Sequence, residues 1–198
     1  MPTAQLNPNW RVEHRFTSAI AHNQKAYALL EPILWPDWQH QLEQVQPTLM
    51  VHRLFEQTRF THVTPGPVLI CLEQEALHKC QQQMAQCPCG CVLFTEQDLS
   101  DQVLLTSLRQ RLIVDRDGAE TLFRFYDPRS LLPILGAMNN KERRAFFPAV
   151  SAIQWYDQDW LLVQITEPTQ SADKLGAWSL SDDQVMNMQS IMNQWATE

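Results

Sequence analysis

Apolar and polar positions along this chain divide most of it into short strands and helices. Ala26 to Leu34 (AYALLEPIL) is an apolar run closed by Pro32 and Pro36, which predicts an early strand ending in a turn. Asp37 to Gln46 sets Trp38, Leu42 and Val45 on one helical face. Thr48 to Phe55 is apolar but broken by His52 and Arg53, so its pattern leaves the element type open. A Pro-Gly-Pro punctuation ahead of five apolar residues (TPGPVLICL, Thr64 to Leu72) predicts a strand buried on both faces. Glu73 to Gln86 reads as a helix, broken by CPCGC (Cys87 to Cys91), after which Val92 to Thr95 reads as a strand.

Leu99-Ser100-Asp101 can cap a helix in which Val103, Leu104, Ser107, Leu108 and Arg111 keep a 3.6-residue period. DRDG (Asp115 to Gly118) is a hairpin turn, with LFRFY as its return strand. A helix then runs from Pro128 to about Met138 and a second from Asn139-Asn140 through Phe147. Ala152 to Tyr156 and Trp160 to Ile165 form a last hairpin. A polar linker leads to a helix from about Asp182 to Trp195, capped by Ser181.

Strands alternating with helices predict an α/β fold, a mixed β-sheet flanked by helices with a smaller helical C-terminal portion. The implied division is residues 1–25 as a leading segment, 26–166 as the α/β domain, and 167–198 as linker and amphipathic helix. The densest local signal is LFRFYDPR, Leu122 to Arg129. Bulky strand formers stop at Asp127, a good N-cap, and Pro128 sits at the first helical position, where its missing N–H has no partner to lose. Arg124 and Arg129 bracket the corner. They can hold a carboxylate of a partner or of the fold itself, with two charge-assisted bonds apiece.

Composition narrows the function classes. With 198 residues, 44% of them hydrophobic, seven Trp and eight Phe, the chain can bury a proper core. A net charge of −7 without a Lys/Arg cluster gives no footprint for nucleic acid or an anionic membrane. The N-terminus lacks a signal-peptide pattern and no stretch is apolar for the length of a membrane span, so a reducing cytoplasm is the expected location. The five cysteines are then expected as thiols.

Candidate chemistry is sparse. His78, Cys80, Cys87, Cys89 and Cys91 are zinc-type ligands lying close in sequence, but CxCxC with a distant HxC is not a pair of knuckles. Free thiols in a loop are the expectation, and no metal or other cofactor is assigned. The six histidines lie outside any nucleophile-elbow context, and the five glycines form no phosphate-binding loop. In the last helix Val185, Met188, Ile191, Met192 and Trp195 make a Met-rich apolar face. That face either packs at home or is offered to an apolar segment of a partner.

The order of segments resembles a family of cytoplasmic adaptors, or chaperones, for effectors of the bacterial type VI secretion system. The segments that carry the likeness are AYALLEP, LFEQT, GPVLICLE, SLRQRLIV, DG, LFRFYDPRSLLPIL and FFPAVSAIQW, spread over residues 26 to 166. The sequence departs from the pattern at Gln57, where a glycine is common, and at CPCGC. The resemblance implies a non-catalytic protein that binds a secreted effector and helps load it onto the spike protein of the valine-glycine repeat (VgrG) type, without stable membrane association. On that reading Arg124, Tyr126, Asp127, Arg129, Met188, Met192 and Trp195 are the partner-binding candidates. The alternatives are a small zinc-binding structural module and an uncharacterised cytoplasmic enzyme.

Overall fold

The computed structural model describes residues 6–116, 118–165 and 178–196. The polar linker, Asp117 of the hairpin turn and the side chain of Trp178 lie outside the described residues. In chain order, a 3-10 turn at Pro8–Trp10 leads to β1 (Glu13–His14), β2 (Gln24–Leu30), α1 (Trp38–Glu43), β3 (Met50–Arg53), β4 (Val68–Leu72), α2 (Gln74–Gln86) and β5 (Gly90–Glu96). There follow α3 (Asp101–Arg109), β6 (Ile113–Arg116), β7 (Ala119–Leu122), α4 (Pro128–Ala137), α5 (Asn140–Phe146), β8 (Ala152–Asp157), β9 (Asp159–Gln164), β10 (Trp178–Ser179) and α6 (Asp182–Ala196).

The expected α/β layering is present. Seven strands in the order β1-β9-β8-β5-β2-β4-β3 form the main sheet, and every pairing in it is antiparallel. A second sheet, β10-β6-β7, contains the parallel pair, β10 with β6. Strand β2 is buried almost throughout because it is central and covered on both faces. Ala26, Ala28 and Leu30 meet α1 and α2 on one face, while Tyr27 and Leu29 meet α3, α4 and the aromatic core on the other. At the N-terminus of α3 the Tyr27 hydroxyl donates to Asp101 (2.6 Å), which ties that helix to the middle of the sheet.

The CPCGC segment finds its explanation here. A Cβ on Gly90 would lie 2.1 Å from the Leu29 carbonyl oxygen, so only glycine fits where β5 presses on β2. Gln57 has a left-handed backbone (φ 59°), the region in which glycine is least strained.

The return strand read into LFRFY is a correction. Strand β7 ends at Leu122, and one further bond, from Phe123 N–H to the Leu112 carbonyl, closes the ladder. The chain then leaves the small sheet because its aromatic rings fill the core instead. Phe125 and Tyr126 are buried, and Phe125 sits edge-on to Phe146 and Phe147 at centroid distances of 6.0 and 5.7 Å.

Two arginines that meet no acid among the described residues organise this region. Arg143 is 1% exposed and gives its guanidinium to carbonyls alone: Leu135 (2.8 Å from Nε, and again from Nη2), Arg11 (3.2 Å) and Trp10. Arg111 is buried too, donates to the carbonyls of Phe146 (2.7 Å) and Ala145 (3.0 Å), and lies over the Phe146 ring. Leu135 lies in the last turn of α4, and Ala145 and Phe146 in that of α5, where helix carbonyls lack internal partners and the helix dipole is negative. Burial lowers the Arg143 pKa to about 10, which still leaves it charged at neutral pH.

Arg143→Met should therefore destabilise the chain by at least about 3 kcal/mol, because several buried carbonyls lose their donor. Urea unfolding followed by tryptophan fluorescence measures this, and a loss comparable with an ordinary surface substitution would contradict the clamp.

Candidate functional site

The two sequence features singled out above meet in space. Helix α6 starts in a capping box, with the Ser181 hydroxyl accepting from Gln184 N–H (3.2 Å) and the Gln184 side chain accepting from Ser181 N–H (3.1 Å). The Gln184 amide also donates to Glu142 (3.0 Å), which pins the start of α6 to the start of α5. Further along, α6 lies on α4 at Gly136, where Ile191 Cδ1 would come within 3.1 Å of an added Cβ. Ile191 is buried there, and Trp195 is buried farther along the helix beside the His14 ring (6.4 Å between centroids). Of the Met-rich face, then, Ile191 and Trp195 serve the fold's own core.

Its flank does not. Between α6 and the β6–β7 hairpin lies a groove of about 390 Å³, walled by Val114 and Phe123 on the sheet side and by Val185, Met188 and Met192 on the helix side. Leu180 lies at one part of the lining, and Arg116, Thr121 and Gln189 supply its polar edge. Met192 is 54% exposed and nearby Met186 on the same helix 62%. Phe123, next to Arg124 in the octet, is the residue that brings the octet into this wall. An apolar groove with a few polar groups on its margin suits an apolar side-chain row of another molecule. Methionine on one wall lets it adapt to varied shapes.

The rest of the octet is committed locally. Asp127 caps α4 by accepting from Arg129 N–H (3.1 Å), and its two oxygens receive Arg129 Nε and Nη2 at 2.9 and 2.7 Å. Arg124 Nη2 bonds Glu31 at 2.6 Å, just beyond the end of β2, approaches Asp127 at 3.7 Å, and stands over the Tyr126 ring. Both arginines thus have carboxylates of the fold as partners. Arg129 nonetheless keeps 75% of its side chain in solvent, while the Asp127 side chain keeps only 7%. Burial pushes the Asp127 carboxyl up, but the Arg129 bonds and the charges of Arg129 and Arg124 outweigh it and hold the carboxyl below its ordinary value.

The zinc-type residues are scattered. Cys80 and Cys89 sit in the core beneath α1 and α2, Cys91 faces the opposite core, Cys87 is exposed, and exposed His78 bonds Gln74 and the Ser18 carbonyl. Burial pushes the Cys89 and Cys91 thiols up to about 12 and raises Cys80 as well, so these sulfurs stay protonated and unreactive at neutral pH. Among the described residues, no group of three or more His, Cys, Asp or Glu is placed to hold a metal ion. Nor, among them, is any helix long and apolar enough to cross a membrane.

The sequence pattern missed Arg111 and Arg143 as organisers and Val114, Phe123 and Leu180 as groove wall. A buried arginine looks like any surface arginine in sequence, and a wall shared by two distant elements has no local pattern. Among known proteins, a model of the family described as Domain of unknown function (DUF4123) matches residues 26–145. The match takes in the sheet wall of the groove and the whole octet, and it ends before FFPAVSAIQW and α6. No curated protein and no solved structure matches the chain.

The Asp127 pairing has a definite pH signature. A depressed carboxyl adds stability above the ordinary aspartate value near about 4 and loses it as pH falls through the folded-state value. Asp127→Asn, which keeps an N-cap, should cost about 1 kcal/mol near neutrality, since the exposed Arg129 limits the pair. In strong acid the variant and the native chain should unfold alike. Paired urea titrations at both pH values check this, and a cost independent of pH would rule it out.

Proposed function

Because this chain belongs to the DUF4123 family, we propose that it is a cytoplasmic adaptor that holds an effector of the type VI secretion system and helps deliver it to the VgrG spike. The proposal starts from the resemblance of the octet and its neighbouring segments to such adaptors. The observation that carries it furthest is the groove between the β6–β7 hairpin and α6, which leaves Met192 and Val185 beside Phe123 on the surface of a folded chain.

The groove would take an apolar stretch of the effector and keep it from aggregating before loading. Burying apolar surface contributes roughly 25 cal/mol per Å². Met188 and Met192 would adjust to the stretch, and Arg116 at the margin would favour an acidic neighbour. The corner of Arg124, Tyr126, Asp127 and Arg129 serves here by fixing α4, on which α6 rests. Arg129, largely in solvent, can also bond a partner carboxylate alongside Asp127. The role requires no chemistry from the chain, in line with the Cys80, Cys89 and Cys91 thiols raised by burial and histidines scattered over different elements.

Co-expression with the products of neighbouring secretion genes tests the proposal. The native chain should co-purify with an effector. Met192→Glu, a change at an exposed position, should weaken that complex at least roughly tenfold while leaving thermal unfolding of the adaptor unchanged. Failure to recover any effector or spike protein, or full retention by Met192→Glu, would count against this reading.

A further inference from the structure

A second surface lies at the far end of the main sheet. Strand β3 is its edge, paired with β4 on one side and with no strand on the other among the described residues. Leu54 N–H donates to the Pro67 carbonyl (2.9 Å), so the antiparallel alternation turns the peptide groups of Met50 and His52 toward β4 and those of Val51 and Arg53 outward. Pro67 has no N–H to return a bond to the Leu54 carbonyl. Arg109 takes that carbonyl with Nε (3.1 Å) and the Arg53 carbonyl with Nη2 (3.0 Å), closing the end of the edge. Among the described residues, the N–H and C=O of Val51 and the N–H of Arg53 remain as an open ladder.

Beside this ladder is a cleft of about 580 Å³, into whose lining Val51 and Arg53 both enter together with Trp38, Phe55, Val63 and Val68. Exposed apolar residues gather at this end of the molecule: Met50 on the edge strand, Val63 in the cleft wall, and Ile33 and Leu34 beside Pro32, another cleft residue. Arg53 is exposed, and no carboxylate lies within ion-pair distance of it among the described residues. Glu56, the one carboxylate in the lining, makes no pair with it.

We propose that β3 and its cleft bind an extended segment of a partner protein by strand addition, with apolar side chains entering the cleft beside Val51 and a carboxylate meeting Arg53. Strand addition supplies main-chain bonds without sequence preference, and the alternate side chains supply the selection. The side chains of Val51 and Arg53 share a face. A matching segment therefore carries its apolar residue and its acid two positions apart. This surface lies apart from the α6 groove, and the proposal does not depend on the adaptor reading.

Fluorescence anisotropy with labelled synthetic peptides, Val, Glu and Val separated by Ser, tests it on the full chain. The Glu peptide should bind saturably. Arg53→Glu should weaken it at least roughly tenfold, and exchanging Glu for Lys in the peptide should recover binding to that variant. N-methylation of the peptide amides that face β3 should abolish binding, and hydrogen exchange should slow at the Val51 and Arg53 amides. Met192→Glu should change none of this. Absence of binding, indifference to Arg53→Glu or to N-methylation, or unchanged exchange at Val51 and Arg53 would overturn the proposal. Sedimentation showing the native chain paired through β3 with a second copy of itself would overturn it too.

Discussion

The buried guanidinium of Arg143 is the interaction on which the rest of the structure hangs. It bonds the last turn of α4, the N-terminal 3-10 turn through Trp10, and Arg11 beyond that turn. A charge with 1% exposure and no acid beside it among the described residues is costly to bury. It is tolerable here because helix-terminal carbonyls are both unpaired and at the negative end of a dipole. Arg111 does the same for α5. Together they join pieces far apart in sequence, and they do so with hydrogen bonds that permit little sliding.

From that platform the groove follows. Helix α4 is capped by Asp127 and presents Gly136 to α6. The glycine lets Ile191 approach closely, Trp195 is buried in the same core, and β10 brings the chain in alongside β6. With its inner face committed, α6 can only leave its flank beside the β6–β7 hairpin. Exposed Met192 is thus a consequence of how α6 is anchored. The same logic separates the octet's roles: Phe123 belongs to the groove, Phe125 and Tyr126 to the core, and Asp127 with Pro128 to the helix start.

Much of this was legible in the sequence where the rule is local. Ser100 and Asp127 cap the helices read from them, Asn139 caps the helix read from Asn139-Asn140, and the run from Val68 to Leu72 is a strand buried on most of its positions. Where the outcome depends on distant partners, the pattern fell short. LFRFY carries every strand propensity, yet Phe146 and Phe147 draw its rings out of the ladder. His52 and Arg53 made Thr48 to Phe55 unreadable, and charged residues are what an edge strand tolerates. The CPCGC segment suggested ligands, while its glycine answers to the Leu29 backbone and its buried cysteines to packing. Arg124 and Arg129 were readable as carboxylate partners, but the identity of Glu31, from a strand end 93 residues away, was not.

The claim that the α6 groove is the partner surface is tested most directly by hydrogen exchange on the chain alone and in complex with its effector. Amides of α6 from Val185 to Met192 and of β6 should become protected in the complex. Protection confined to other elements, with α6 and β6 exchanging as in the free chain, would contradict the account.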